Sequence, residues 1–338
     1  MKIENLALRL GLTKFYNLPK LENNNLICIY DTSVSSLNVG DEIINQSGTD
    51  EIKTIFPHEQ FFRLSTHVGT SAIGISYANL CRHRIVCGSN LLSDKMYRSA
   101  NWYLSPLDII RMKSVILLGV GWNKYSDESS YYTKLSYKYL FDKHYLHSVR
   151  DNYTKKKMEL LGFHNTINTG CPTMWRLTES FCKNIRTEKS ESVVFTLTDY
   201  DKDHNNDYKL ISILKKEYKN VYFWPQGSGD LEYFLSMKIN NVTIIPPRLS
   251  DYDHILKSNI DFIGTRLHGG IRALQHKNKA IIIGIDNRAI EKNRDFNLPV
   301  IIRENIESEL KEKIYGKNKI DIRIDEESIN KWKEQFKK

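Results

Sequence analysis

Short, continuously apolar stretches alternate along the chain with segments of helical periodicity. The apolar runs predict strands at 26–30, 85–87, 115–120, 148–150 and 166–168, then at 192–197, 221–224, 242–245, 261–264 and 280–285. The segments between them predict helices, among them 131–141, 152–161, 207–218, 230–237, 250–257 and 267–276. Strands that lack polar alternation and are separated by helices indicate parallel sheets covered on both faces. The expected fold class is α/β, two doubly wound domains with the ligand crevice at the carboxyl ends of the strands, between the domains. After Cys171-Pro172-Thr173 a polar, charged segment runs from 178 to 190 without a strand pattern, and a new strand starts with Val193-Val194-Phe195. The domain boundary is placed there, near 185, giving domains 1–185 and 186–338. Ile329, Trp332 and Phe336 stand at helical spacing and predict a final helix, 325–337, that can pack back on the first domain.

Composition narrows the classes. A length of 338 residues suits two domains, each with its own core. An apolar fraction of 41% and a charged fraction of 26% exclude wholesale disorder. The longest apolar run, 115–120, is far shorter than the roughly 18 residues a membrane span requires. The first ten residues carry Glu4 and Arg9 and no apolar core, which points to a cytoplasmic chain. The five cysteines, Cys28, Cys81, Cys87, Cys171 and Cys182, form no C-x-x-C pair and read as reduced, mostly buried thiols, so no metal site is expected. A net charge of +9 favours anionic partners, phosphates or a lipid surface. The lysines are spread rather than blocked and no RNP or helix-turn-helix signature appears, which sets nucleic acid aside.

Candidate chemistry gathers where strands end. In Gly264-Thr265-Arg266-Leu267-His268-Gly269-Gly270 a buried strand gives way to a helix start. Arg266 offers a planar fork for a carboxylate or phosphate, and His268 moves a proton near neutral pH. The blander alternative is a salt-bridged Arg and a capping His. In the loop after the first strand, Asn38 or Asp41 can cap a helix, Gly40 allows close backbone approach, and Asp41 and Glu42 can bind hydroxyls or accept a proton. Arg150, in His147-Ser148-Val149-Arg150-Asp151, either reaches the crevice or pairs with Asp151. Asn123, after Gly119-Val120-Gly121-Trp122, occupies a corresponding loop. Pro225-Gln226-Gly227-Ser228-Gly229-Asp230 joins a strand to a helix but lacks the G-K-[ST] of a Walker loop.

Taken together, and in this order, several of these pieces resemble the polysaccharide pyruvyl transferase family. They are Asn38-Val39-Gly40-Asp41-Glu42, Ser148-Val149-Arg150-Asp151, Gly170-Cys171-Pro172-Thr173, Pro225-Gln226 with Asp230, Gly264-Thr265-Arg266-Leu267-His268-Gly269, and Gly284-Ile285-Asp286-Asn287-Arg288. The resemblance spans roughly residues 26 to 300, and the R-L-H piece is its most specific part. It implies a GT-B-like fold, two Rossmann-like domains facing a central cleft, with the acceptor on the first and the donor on the second. It also implies transfer of the enolpyruvyl carbon of phosphoenolpyruvate onto two hydroxyls of a sugar, giving a pyruvate ketal and phosphate. Arg150, Arg266 and His268 then belong to the phosphoenolpyruvate site, with Arg288 and Gly269 beside them. The loop 31–37 is longer and less glycine-rich than the family pattern, and Arg288 stands where Lys is common, which keeps the charge and changes its geometry.

That chemistry asks for fixed cations against a carboxylate and a phosphate, an acid for the methylene carbon and a base for the attacking hydroxyl. His268 is the candidate acid and Asp41 the candidate base, with Asn38, Glu42 and Asn123 as acceptor-binding candidates. No cofactor is expected beyond phosphoenolpyruvate as co-substrate. The expected acceptor is a lipid-linked or nucleotide-linked saccharide, and the positive charge suits peripheral contact with an anionic membrane face. Two other functions compete: a GT-B nucleotide-sugar glycosyltransferase, and a non-catalytic carbohydrate- or phosphate-binding protein.

Overall fold

Two sets of parallel strands organise the chain. The computed structural model describes residues 25–99, 101–125, 128–317 and 319–337; the first ten residues, read above for a secretion signal, lie outside the described residues. Of the described residues, 25–36, 44–172 and 326–337 form one unit, and 37–43 with 173–325 form the other.

In the first unit β1 (Leu26–Asp31), β2 (Gln60–Ser65), β3 (His83–Cys87) and β4 (Val115–Leu118) pair in the order β2-β1-β3-β4. Strand β5 (His147–Val149) pairs with β6 (Thr166–Asn168), and a parallel bridge from Val120 to Val149 joins this pair to the end of β4. The order 2-1-3-4-5-6 is a doubly wound one, with its reversal between β1 and β3. His147 holds β5 in place. Its Nδ1 accepts the Leu117 N–H at 3.3 Å, and its Nε2 donates to the Asp142 carbonyl at 2.8 Å. That pairing requires a neutral imidazole, because a second ring proton would face an N–H donor.

Helix Glu326–Glu334 belongs to this unit. Trp332 is fully buried, and just beyond the helix the Phe336 ring meets Phe56, His83, Tyr145 and Trp332 at centroid distances of 5.1 to 5.5 Å. Lys333 pairs with Glu51.

In the second unit β7 (Ser192–Thr196), β8 (Asn220–Phe223), β9 (Thr243–Ile244), β10 (Asp261–Gly264), β11 (Ala280–Gly284) and β12 (Val300–Ile302) lie in the order β9-β8-β7-β10-β11-β12. Counted from β7 this is 3-2-1-4-5-6, the order of dinucleotide-binding Rossmann sheets, and it reverses between β7 and β10. Alternate residues of one strand feed opposite cores. Val193 and Phe195 pack with Leu210 and Ile306 on one face, and Val194 packs with Phe262 and Ile271 on the other. Burial on both faces is why the sequence reads as unbroken apolar runs.

Two strands escaped the sequence reading, β2 and β12, and both lie at the edge of their sheet. Strand β2 is half-buried at best along its length and carries Arg63, and β12 has only three residues, so neither makes an apolar run. The second unit also takes up the chain from 173, earlier than the expected boundary near 185. Leu177, Cys182 and Ile185 enter its core, and the buried Asp261 carboxylate accepts Arg186 Nη2 at 2.7 Å and the Ser190 N–H at 3.1 Å. The polar segment is thus an anchored strap rather than a linker.

Burial holds His147 and His83 neutral, each down to about 4 from 6.5, with Arg82 and Arg84 adding to the effect at His83. An unfolded chain therefore takes up protons on both before the folded one does. Stability of the first unit that is fully present above pH 6.5 is expected to fall as pH drops toward 4, by about 1.4 kcal/mol per pH unit for each histidine. His83 Nε2 is buried without a hydrogen bond. His83→Phe keeps the ring and should both raise stability and flatten the slope, read from urea midpoints and hydrogen exchange of the β3 amides across that range. An unchanged slope would remove His83 from the account.

Candidate functional site

At the reversal point of the second sheet, the loops leaving β7 and β10 carry opposite charges that meet. Arg266 follows β10 and is 4% exposed. Its Nε donates to Asp230 Oδ2 at 2.9 Å and to the Leu197 carbonyl at 3.2 Å. Its Nη2 donates to Asp199 Oδ1 at 2.7 Å and to Asp230 Oδ1. Among the described residues its Nη1 meets no acceptor. Asp230 has no exposed surface and also accepts the backbone N–H groups of Asp199, Gln226 and Gly227 at 3.0, 3.1 and 2.7 Å. One carboxylate thus ties together the segments that follow β7, β8 and β10. The guanidinium lies so close over Gly227 that a Cβ there would come 2.1 Å from Nη2. Burial pushes the Asp230 carboxyl above its ordinary range, with Arg266 pulling against it; at the more exposed Asp199 burial also opposes the charge, but Arg266 prevails and holds the carboxyl low.

Arg266 is also the N-cap of helix Leu267–Gln275 and provides no side-chain cap. The N–H groups of that first turn, at the positive end of the helix dipole, therefore receive no oxygen from the N-cap side chain. His268 stands in this turn, 6% exposed, with Gly269 and Gly270 buried beside it. Behind them the Tyr252 hydroxyl donates to the Gly269 carbonyl at 2.8 Å, and the Tyr252 ring stacks on Trp224 at 3.7 Å.

The helix Val39–Ile55 begins at the same place. Asn38 Oδ1 accepts the Gly40 N–H and Gln226 Nε2, both at 2.9 Å, and the Val39 N–H donates to the Gln226 carbonyl at 2.9 Å. A Cβ on Gly40 would sit 2.6 Å from Gln226 Nε2, and one on Gly269 3.3 Å from Gln226 Oε1. The starts of the two helices meet across this one carboxamide. Asp41 is buried in the first turn, whereas Glu42 is exposed.

Arg288 follows β11 and is held by Asp286, with its Nε donating to Oδ2 at 2.9 Å, and by the Tyr200 hydroxyl. The Tyr200 ring lies 5.1 Å from the Arg266 guanidinium carbon and 5.6 Å from that of Arg288. Of the two alternatives for Arg266, a fork for an incoming anion or a salt-bridged arginine, the structure shows the ion pairs, to Asp199 and Asp230, and Arg288 likewise holds Asp286 of its own unit.

In the first unit Arg150 follows β5 and is 3% exposed. Its Nε reaches Asp151 at 3.3 Å, and Asp151 in turn caps helix Asn152–Leu160 by accepting the Thr154 N–H at 2.7 Å. Its Nη1 and Nη2 meet no acceptor among the described residues. The side chain lies across Gly121, where a Cβ would fall 2.0 Å from Nε. That loop is held by Trp122, whose Nε1 donates to the buried Asp94 at 2.7 Å; Lys157 pairs with the same carboxylate at 2.7 Å. Asn123 is half-buried, and its N–H donates to the Leu92 carbonyl at 2.7 Å.

The second unit thus brings together Asn38, Gly40, Arg266 and Gly269 around Gln226 and Asp230, with Arg288 joined through Tyr200, while Asp41 and His268 stand in the first turns of the two helices. Arg150 and Asn123 belong to the first unit. Sequence reasoning missed Asp199, Tyr200, Asp94 and Lys157. The available signal for the first two was their place directly after an apolar strand that ends at the sheet's carboxyl edge. Among the described residues, no group of three or more His, Cys, Asp or Glu is placed to hold a metal ion.

A sequence model of the polysaccharide pyruvyl transferase family matches residues 38–287. No curated protein sequence matches the chain. Among solved structures, the UDP-GlcNAc 2-epimerase from Neisseria meningitidis bound to UDP-GlcNAc aligns with a TM-score of 0.51 at 10% identity, over 93% of this chain and 100% of that one. The S. aureus MnaA–UDP co-structure gives 0.48 at 10% identity over 86% and 90% of the two chains. E. coli heptosyltransferase WaaC with ADP-2-deoxy-2-fluoro heptose gives 0.40 at 14% over 85% and 99%. At such identity the likeness to the epimerase is one of fold. It agrees with the two strand orders: the architecture is α/β and Rossmann-like, of the GT-B type.

Asp230→Ala would leave the Arg266 guanidinium buried with only Asp199 as a counter-charge. The expected cost is about 3–5 kcal/mol of second-unit stability, against about 1 kcal/mol for Asp199→Ala, whose carboxylate is partly solvated. Urea unfolding with hydrogen exchange at the β10 amides measures both, and equal losses would contradict Asp230 as the anchor.

Proposed function

We propose that this chain, which belongs to the polysaccharide pyruvyl transferase family, moves the enolpyruvyl unit of phosphoenolpyruvate onto two hydroxyls of a sugar in a surface-polysaccharide precursor. The observation that carries the reading is Arg150, a buried guanidinium with both terminal amino groups without an acceptor among the described residues. A buried fork of this kind fits a planar carboxylate or a phosphate, and phosphoenolpyruvate has both.

The reaction is balanced without electron transfer. A proton adds to the methylene carbon, which becomes the methyl group, and a sugar hydroxyl oxygen bonds to C2 as its own proton departs. A second hydroxyl then displaces phosphate from C2, its proton leaving with the phosphate, and closes the ketal. His268 supplies the first proton and Asp41 takes the hydroxyl's. Arg150 offers its fork to the donor's carboxylate or phosphate; in the second unit the Nη1 of Arg266, the Gly269 end of the helix and the positive charge of Arg288 favour an anion. For the lipid-linked or nucleotide-linked saccharide acceptor, Asn38 and Glu42 are the binding candidates of the second unit and Asn123 that of the first. Exchange of no electrons calls for no redox cofactor, and the pool of donor and of activated saccharides places the reaction in the cytoplasm.

Purified protein given phosphoenolpyruvate and a lipid-linked or nucleotide-linked saccharide should release phosphate and yield a product heavier by a pyruvate ketal in mass spectrometry. His268→Ala should slow turnover by roughly 10²–10⁴-fold while donor binding weakens less. Arg150→Gln should do the reverse, weakening phosphoenolpyruvate binding by about 10- to 100-fold, the loss of charge-assisted hydrogen bonds. Gain of a hexose from a nucleotide sugar, with phosphoenolpyruvate untouched, would identify a glycosyltransferase instead; binding without turnover would identify a non-catalytic protein.

A further inference from the structure

Helix Tyr131–Leu140 is inside-out in its polarity. Its buried side is formed by Thr133, Ser136, Tyr137 and Leu140, so two of the four inward residues carry short polar side chains. Its outward side presents Tyr131, Leu135 and Tyr139, spaced i, i+4 and i+8 on one stripe and 80%, 41% and 61% exposed. Lys134 and Lys138 stand within the same stripe, and neither has an ion pair among the described residues. The helix contains no acidic residue. Helix Pro106–Arg111 packs against it and also leaves two large apolar side chains, Leu107 and Ile110, 60% and 68% exposed. Single exposed leucines are ordinary; apolar residues on two adjacent helices, interleaved with unpaired lysines, are not.

We infer that this face of the first unit rests on a lipid bilayer with anionic headgroups. Tyrosines suit the headgroup level, where the ring is sheltered and the hydroxyl stays wet, and leucine and isoleucine suit the acyl boundary below it. The two lysines find their counter-charges in the lipid phosphates. Other occupants fit less well. A symmetric contact with a second copy would bring two lysine-bearing faces of this kind together. A nucleic acid would satisfy the lysines and leave the leucines and isoleucine without a partner. No helix among the described residues is long and apolar enough to cross a membrane, so the contact is a surface one. The surface is independent of the transfer reaction, since none of its residues belongs to the site.

Co-sedimentation of the full chain with vesicles tests it without any substrate. Binding is expected to vesicles of phosphatidylglycerol and phosphatidylcholine in equal parts, to weaken at high salt, and to be weak on phosphatidylcholine alone. Lys134→Gln with Lys138→Gln should reduce binding by about fivefold per lysine, and Leu135→Ser with Tyr139→Ser by at least tenfold. Both pairs are exposed, so circular dichroism and turnover on a soluble saccharide acceptor should match the wild type. Absence of vesicle binding by the wild type, equal binding to neutral vesicles, or unchanged binding by both variants would overturn the proposal. A shift of oligomeric state in the variants without any vesicle binding would assign the face to a second copy.

Discussion

A buried carboxylate without solvent has to find its donors inside the protein, and in the second unit that requirement fixes the site. Asp230 collects five of them, from Arg266 twice and from the backbone at Asp199, Gln226 and Gly227. These donors come from the carboxyl ends of β7 and β10 and from the loop after β8, so no one of these segments shifts without stranding a charge. The position of His268, two residues after Arg266, follows from this constraint, as does that of Gln226, whose carboxamide carries it on to Asn38 and the start of the next helix.

The arginines divide by their partners rather than by their exposure. Arg266 and Arg150 are almost equally buried, yet one is balanced by two carboxylates and the other, among the described residues, by Asp151 alone, at 3.3 Å. A balanced arginine mostly holds structure and keeps a single direction for an incoming group. One that is barely balanced retains most of its field for whatever anion arrives. Gly121 and Gly227 serve the same geometric purpose in the two units, leaving room for a guanidinium to lie flat on the backbone.

The sequence made the architecture plain where burial was two-sided, as in β7, β10 and β11, because residues packed on both faces have no polar alternation to hide them. It was opaque at the sheet edges, where β2 and β12 each lack a neighbour on one side. Among the candidate site residues, the positions after strand ends were legible and their pairings were not. Nothing local links Arg266 to Asp230, 36 residues earlier, or to Asp199, 67 earlier; the fold alone brings them together. The R-L-H segment announced a fork, and the fork's orientation was decided by carboxylates elsewhere in the chain. The polar stretch 178–190 misled for a related reason: its few apolar residues and one arginine are what anchor it, and charge density on its own looks like a linker.

The return of residues 326–337 to the first unit sets an order on biosynthesis. Every strand of both sheets has been synthesised before Trp332 and Phe336 are made. Until then Phe56, His83 and Tyr145 have an aromatic partner missing, so the unit translated first is the one completed last. Until residues 326–337 dock, the earlier unit presents an open, ring-lined face to chaperones.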